Sequence, residues 1–219
     1  EAIRPVKQAY DSQRTFIANA SHEIKTPLAA IEANLEAADI QDNRWIDNVR
    51  TETRALAALN QDLLTLTRID SVPAPQPETF ALRPTVEQVV APFAPRLQTK
   101  ILRQDLPDLE ITAAKADFTQ LLTILLDNAI KYSRRRIWLR YADQTISVEN
   151  DGATIPAADL PHLFERFYQR DKSRDGVGLG LAIAQSLAER NHWQLSVTSD
   201  CTTVFRLKLN ASAHIAFSA

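Results

Sequence analysis

The feature that most restricts the fold is a glycine-free stretch, residues 1–70, whose only prolines are Pro5 and Pro27. Apolar side chains recur there every three or four residues, as in helices with one buried stripe. The first stripe comprises Ile17, Ala20, Ile24, Leu28, Ile31, Leu35 and Ala38, and the second comprises Ile46, Val49, Leu56, Leu59, Leu63 and Leu66. The largely polar segment 39–43 predicts a turn between them, and therefore an antiparallel helical hairpin. A lone hairpin exposes apolar surface on both arms, so we predict a homodimer whose hairpins form a four-helix bundle.

The pattern changes at residues 71–79, which contain three prolines and no periodicity. Proline blocks helix continuation, so this segment predicts a semi-rigid linker. Beyond it the patterns predict helices at 82–97, 113–132 and 179–189, and strands at 101–106, 137–141, 145–149, 194–198 and 204–209. We therefore divide the chain into a hairpin (residues 1–70), the linker (71–79) and an α/β domain (80–210).

Composition argues against several classes of protein. The net charge of −2 provides no basic field for nucleic acid. The single cysteine, Cys201, cannot form an internal disulfide, and its turn-like context favours a structural or incidental role. No run of about 18 apolar residues predicts a membrane span, and methionine is absent, so we expect a piece of a longer protein that does not itself contact a membrane.

His22 is a candidate nucleophile on the first helix. At about 100° per residue it points away from the apolar stripe, with Glu23 beside it and Thr26 one turn later. Glu23 could accept the Nδ1 proton and leave Nε2 free to attack. Pro27 cannot donate a hydrogen bond to the carbonyl of Glu23, which would loosen the helix there. A solvated histidine beside an incidental proline fits the same residues.

Three polar segments of the α/β domain could bind a nucleotide. Three of the four glycines lie within residues 176–181, at the start of a predicted helix where backbone N–H groups can approach phosphates. Asn128 and Lys131 share a helix face and could converge on a metal–phosphate group. The segment 150–152 follows a strand and could accept a hydrogen bond from an adenine amine. Each segment also has an ordinary reading as a turn or a solvated polar face.

Taken in order, these segments resemble the sensor histidine kinases of bacterial two-component systems. The matching segments are FIANASHEIKTPL (16–28, the phosphoacceptor box), DNAIKYS (127–133, the asparagine box), FERFY (164–168, the phenylalanine box) and GVGLGL (176–181, the second glycine box). The resemblance covers about residues 10–209. It implies a dimerising helical hairpin followed by an α/β sandwich ATPase domain of the kind shared with gyrase, Hsp90 and MutL. It also implies a cytoplasmic domain of a protein anchored in a bacterial membrane.

The resemblance assigns roles by position. It implies that His22 receives the γ-phosphoryl group of ATP, that Glu23 is the general base, and that Thr26 positions water when the partner is dephosphorylated. Asn128 would coordinate Mg²⁺, and residues 164–174 would form a mobile lid. The nucleotide-binding residues would be Asn128, Lys131, Tyr132, Asn150, Gly152, Arg170, Gly176, Gly178, Leu179 and Gly180. The phosphoryl group would then pass to an aspartate in the receiver domain of a response regulator.

Several positions depart from the family pattern. Ile124 stands where the family often has a further asparagine, and Gln169 where an arginine usually follows the tyrosine, with Arg170 as its substitute. Asn150 replaces the aspartate that reads adenine, and Asp151 would take that place if the alignment moved by one residue. Thr154 replaces a glycine, and the last glycine-rich turn is absent around residues 200–203.

These departures leave three hypotheses for the activity. The first is an active histidine kinase. The second is a member of the same family that acts mainly as a phosphatase or a weak kinase. The third is a non-catalytic dimeric scaffold, which would have no need of His22, Glu23, Asn128 or the glycines.

Overall fold

The computed structural model describes residues 20, 24–31, 33, 43–170 and 177–210. The chain divides into two compact units, Glu1–Thr65 with Arg166–Leu179, and Leu66–Glu165 with Gly180–Ala219. No helix of the described residues is long and apolar enough to cross a membrane.

The described N-terminal part is helical, as predicted. Residues 24–31 form helix α1, and Asn43–Ser71 form the 29-residue helix α2. Leu59, Leu66 and Ile69 are buried along α2, whereas Ile46 and Leu64 are more than half exposed. The α2 stripe predicted from the sequence is therefore only partly covered within one chain.

The described α/β part contains two sheets. Strands β1 (Glu78–Ala81) and β3 (Glu110–Ala113) form an antiparallel pair. The other sheet has the order β2-β4-β5-β7-β6, in which β2 is parallel to β4 and the remaining pairs are antiparallel. Its strands are β2 (Ile101–Asp105), β4 (Arg136–Ala142), β5 (Thr145–Asn150), β6 (Gln194–Ser199) and β7 (Thr203–Lys208).

Two helices of this part contact the five-stranded sheet, α5 (Lys115–Tyr132) against β5 and α6 (Gly180–Arg190) against β6. Helix α3 (Leu82–Val90) packs on α5 and is followed by α4 (Ala94–Leu97), with 3₁₀ turns at Ala91–Phe93 and Leu160–His162. In β4, buried Ile137, Leu139 and Tyr141 alternate with exposed Arg136 and Arg140, because successive strand residues point to opposite faces. Ile146 and Val148 of the neighbouring strand β5 are buried in the same way, and β5 contacts α5, whose own core residues include Phe118, Leu122 and Leu125.

The predicted order of a helical N-terminal part and a mixed α/β part is confirmed. Two details differ from the sequence prediction. The region 82–97 is not one helix but three short helical pieces, because Pro92 and Pro95 lack the N–H that a continuous helix requires. Strands β1 and β3 were not predicted, and β1 takes Glu78 and Thr79 from the expected linker. The division into domains at 70 and 80 stays a prediction.

Candidate functional site

The C-terminal half of α5 carries three of the predicted nucleotide-binding residues. The apolar face of α5 is buried, which leaves Asn128, Lys131 and Tyr132 only partly covered at its edge. The Lys131 ammonium lies 5.4 Å from the centre of the Tyr132 ring. One turn before Asn128, Ile124 lies against the start of α6, since its Cγ2 is 3.5 Å from the position a Cβ on Gly180 would take.

Asn150 ends the central strand β5 and is almost completely buried, at 1% exposure. Its Oδ1 has no hydrogen-bond partner among the described residues. A buried acceptor without a partner costs about 1–3 kcal/mol, so this oxygen is available to accept a hydrogen bond from a bound molecule or a water.

Gly152 allows the end of β5 to approach the end of α5. A Cβ at this position would lie 2.5 Å from the Tyr132 carbonyl oxygen and 2.6 Å from Asn150 Nδ2. Both distances are too short for any side chain, so only glycine fits here. The close approach brings Tyr132 and Asn150 to one corner of the domain.

Asp151 is held by the backbone at the start of β4. Its Oδ1 accepts hydrogen bonds from the backbone N–H groups of Arg134, Arg135 and Arg136, each at 2.9 Å. Burial acts to raise the pKa of the Asp151 carboxyl, but these bonds and its own N–H together hold that pKa below its ordinary value. This carboxylate is therefore committed to the fold.

The sequence did not predict a role for two buried hydroxyl groups, those of Thr203 on β7 and Ser199 on β6. Thr203 is the register partner of Asn150 across β5 and β7. Thr203 Oγ1 and Ser199 Oγ are 2.9 Å apart, and Ser199 Oγ also accepts the Ile155 N–H at 2.8 Å. The signal that could have identified Thr203 was the alternation of β7, which places it on the same inward face as Phe205 and Leu207.

Phe167 of the phenylalanine box contacts Gly178 of the glycine box, and both residues belong to the unit that contains Arg166–Leu179. The Phe167 N–H donates to the Gly178 carbonyl at 2.9 Å, and both residues have positive φ, 65° and 76°. A Cβ on Gly178 would lie 2.7 Å from the Tyr168 carbonyl oxygen, so this contact also needs glycine. Leu179 is buried and Arg170 is exposed, whereas Gly176 and residues 171–174 of the expected lid lie outside the described residues.

Of the predicted catalytic residues, the described part of the chain includes only Thr26. It lies in α1 with an exposed side chain, but Ile24 and Leu28 of the predicted buried stripe are exposed as well, so the role of Thr26 stays a prediction. His22 and Glu23 lie outside the described residues.

The described residues include groups that fit an adenine nucleotide. Asn150 supplies a buried acceptor that has no partner among them, and Gly180 is the first residue of an 11-residue helix whose first N–H groups favour phosphate. The described residues contain no group of three or more His, Cys, Asp or Glu that could hold a metal by themselves. Mg²⁺ usually binds through few protein ligands together with substrate phosphates, and the Asn128 amide oxygen fits such a role.

Two family models match the chain in succession. The His Kinase A (phospho-acceptor) domain matches residues 12–72. The histidine kinase-, DNA gyrase B- and HSP90-like ATPase matches residues 113–213. The two matches place a phosphoacceptor domain before an ATPase domain, the order expected from the sequence.

Similar proteins agree with these matches. The sensor histidine kinase YkoH of Bacillus subtilis is 35% identical over 91% of the chain, and the sensor histidine kinase RppB of Synechocystis is 34% identical over 90%. The chain spans only 47% and 48% of these relatives. Among solved structures, the Acinetobacter baumannii histidine kinase AdeS matches with a TM-score of 0.71 and 24% identity, over 86% of this chain and 97% of that one. The histidine kinase ThkA, solved with the response regulator protein TrrA, matches with a TM-score of 0.76 and 18% identity, over 93% and 63%. The structures share the fold, and together with the family models the relatives show that the chain belongs to the sensor histidine kinases of bacterial two-component systems.

Proposed function

We propose that this chain autophosphorylates on His22 with Mg²⁺–ATP and passes the phosphoryl group to an aspartate in the receiver domain of a response regulator. The observation that carries the proposal is the succession of a phosphoacceptor domain at residues 12–72, which includes His22, and an ATPase domain at 113–213. A chain that holds both parts contains the acceptor and the nucleotide site that the reaction requires.

The α/β domain would bind and orient the nucleotide. Asn150 would accept a hydrogen bond from the base, and Gly152 leaves room for that contact. Asn128 would hold Mg²⁺, while Lys131, Tyr132 and Arg170 would contact the nucleotide. Phosphoryl transfer depends mainly on positioning and charge neutralisation, and cationic side chains and helix N–H groups supply both.

Gly176, Gly178 and Gly180 would let the backbone approach the phosphates, with Leu179 buried between the last two. Gly178 adopts a positive φ, and a Cβ on Gly180 would meet nothing closer than Ile124. These positions support a phosphate-binding role for the start of α6.

The hairpin would supply the acceptor. Glu23 would take the Nδ1 proton of His22, so that Nε2 forms the bond to phosphorus while the bond from phosphorus to the departing ADP oxygen breaks. Thr26, exposed one turn further on, would position water for the reverse, phosphatase activity toward the partner.

The proposal is tested by incubating the chain with Mg²⁺ and γ-labelled ATP beside a His22→Gln control. We expect acid-labile label on the parent and none on the variant, because phosphohistidine is the only labelled product foreseen. Equal labelling of both proteins would remove His22 from the mechanism, and absence of label from both would contradict kinase activity.

Homodimerisation through the hairpin is part of the proposal. Ile24 and Leu28 in α1 are 40% and 45% exposed, and Ile46 and Leu64 in α2 are 52% and 57% exposed. Four large apolar side chains exposed on one hairpin favour a second hairpin as their partner. We also propose that the parent protein is anchored in a bacterial membrane with this part in the cytoplasm.

A phosphatase-dominant member of the family is the second candidate, and Ile124 is the observation that favours it. Its apolar side chain lies against Gly180, where the family often presents an asparagine near the phosphates. On this reading ATP binds, little phosphohistidine accumulates, and the phosphorylated partner loses its phosphate rapidly in a Thr26-dependent manner. Restoration of labelling by Ile124→Asn would support it, and strong labelling of the parent would exclude it.

A further inference from the structure

The identity of residue 150 bears on which bases the site can accept. Asn150 is buried at the end of β5, and no described residue pairs with its Oδ1. The neighbouring carboxylate is held elsewhere, because Asp151 Oδ1 accepts three backbone N–H groups at the start of β4. Within the described residues, base recognition at this strand end therefore falls to an amide and not to a carboxylate.

An amide and a carboxylate differ in what they can recognise. An ionised carboxylate only accepts hydrogen bonds, whereas the Asn side chain has an acceptor on one side and a donor on the other. A 6-aminopurine such as adenine presents a donor at C6, and a 6-oxopurine such as guanine presents an acceptor there. Rotation of the terminal amide by 180° turns one arrangement into the other.

No donor among the described residues holds the amide oxygen of Asn150 in place. The terminal torsion of Asn is broad and roughly two-fold, so the amide can rotate when a bound base favours the other orientation. Thr203 and Ser199 use one hydroxyl proton for the bond between them, so the other remains available, and hydroxyls rotate to suit a partner. Neither hydroxyl therefore requires a neighbouring group to be only a donor or only an acceptor.

We propose that Asn150 makes this site accept 6-oxopurine nucleotides as well as adenine nucleotides. The proposal rests on the nucleotide binding proposed above and adds a substrate class to it. An aspartate at the same position would face the 6-oxo group with a second acceptor, and unmatched polar groups in a buried site discriminate strongly.

The test is calorimetric titration of the folded chain with ADP and with IDP in the presence of Mg²⁺. The two nucleotides differ only in the C6 substituent and the proton that it places on N1, and neither can donate a γ-phosphoryl group. We expect dissociation constants within about tenfold of each other, about 1.4 kcal/mol. A preference for ADP greater than that overturns the proposal.

Two variants connect the result to residue 150. Asn150→Asp should raise the ratio of IDP to ADP dissociation constants at least tenfold, and an unchanged ratio in a folded variant, checked by near-UV circular dichroism, overturns the proposal. Asp151→Asn is the control, because it replaces a carboxylate with an amide at the adjacent residue. It should leave the ratio of dissociation constants unchanged, since the Asp151 side chain is bound to backbone N–H groups. If Asn150→Asp does not fold, the ratio measured on the parent decides.

The outcomes separate the two proposals. Binding of ADP without IDP overturns the broadened base selectivity alone and leaves the proposed kinase function standing. Absence of binding by either nucleotide overturns both.

Discussion

At the scale of single residues, the glycines of the nucleotide site differ in what they tolerate. Gly152→Ala should lower the free energy of unfolding by about 1–3 kcal/mol, because its Cβ would lie 2.5 Å from the Tyr132 carbonyl and the backbone would have to shift. Gly180→Ala is the matched control, since its Cβ would meet only Ile124 Cγ2 at 3.5 Å and alanine favours helices. Urea unfolding of both variants tests this, and equal destabilisation would contradict the steric account.

Asp151 provides a prediction of pH dependence at the same scale. Its pKa is lower in the folded chain than in the unfolded chain, so its ionised form stabilises the fold above the unfolded pKa of about 4. Asp151→Asn should therefore lower the free energy of unfolding at neutral pH by about 1 kcal/mol, a figure reduced for partial exposure. The difference between parent and variant should shrink as pH falls below about 4 through the folded pKa. If the difference in the free energy of unfolding between parent and variant stayed constant down to pH 2, ionisation of Asp151 would not be its cause.

At the scale of elements, a buried ion pair joins the start of α5 to the end of α6. Arg190 donates to Asp117 through Nε at 3.1 Å and Nη2 at 2.5 Å, and Asn191 Nδ2 donates to the same carboxylate at 2.6 Å. The side chains of Asp117 and Arg190 are 4% and 14% exposed. Gly180 lies near Ile124, so the two helices run antiparallel and the pair sits at the end away from the glycine box.

Removal of one partner of this pair should be costly. Arg190→Leu should lower the free energy of unfolding by about 3 kcal/mol, because it leaves the buried Asp117 carboxylate without its cation and with only Asn191 as a side-chain donor. Arg96→Leu is the control. Arg96 in α4 pairs with Asp127 in α5, both side chains are about half exposed, and the pair should contribute less than about 1 kcal/mol. Chemical denaturation distinguishes the two, and similar losses would show that burial does not set the cost.

The elements also show how far local patterns reach. The alternation in β4 and β5 and the stripe in α5 predicted these elements closely, because each buries one face along its whole length. Strands β1 and β3 have four residues each, and their pairing of Phe80 with Ile111 joins positions 31 apart. No local periodicity predicts a pair so short and so distant in sequence.

At the scale of the whole molecule, the exposed apolar residues of the hairpin predict an obligatory partner. Leu28→Glu should shift the chain from dimer to monomer in light scattering, because it places a charge among apolar side chains that a second hairpin would bury. Ile101→Glu adds the same charge at an apolar residue of β2 that is 39% exposed and should leave the dimer intact. A dimer that survives Leu28→Glu, or a parent chain that is monomeric at micromolar concentration, would contradict the four-helix bundle.

The sequence by itself determined the order of the elements and the family, because helical stripes, strand alternation and ordered boxes are all local patterns. It also singled out Asn128, Lys131 and the glycines as candidates, and their roles remain proposals. Only the tertiary structure distinguished Asn150 from Asp151, since it alone shows one side chain buried without a partner and the other bound by the backbone of residues 134–136. The same holds for the Phe167–Gly178 contact, the Ser199–Thr203 pair and the Asp117–Arg190 pair. Periodicity reports which face of an element is buried, whereas these contacts depend on which elements pack together and on their register.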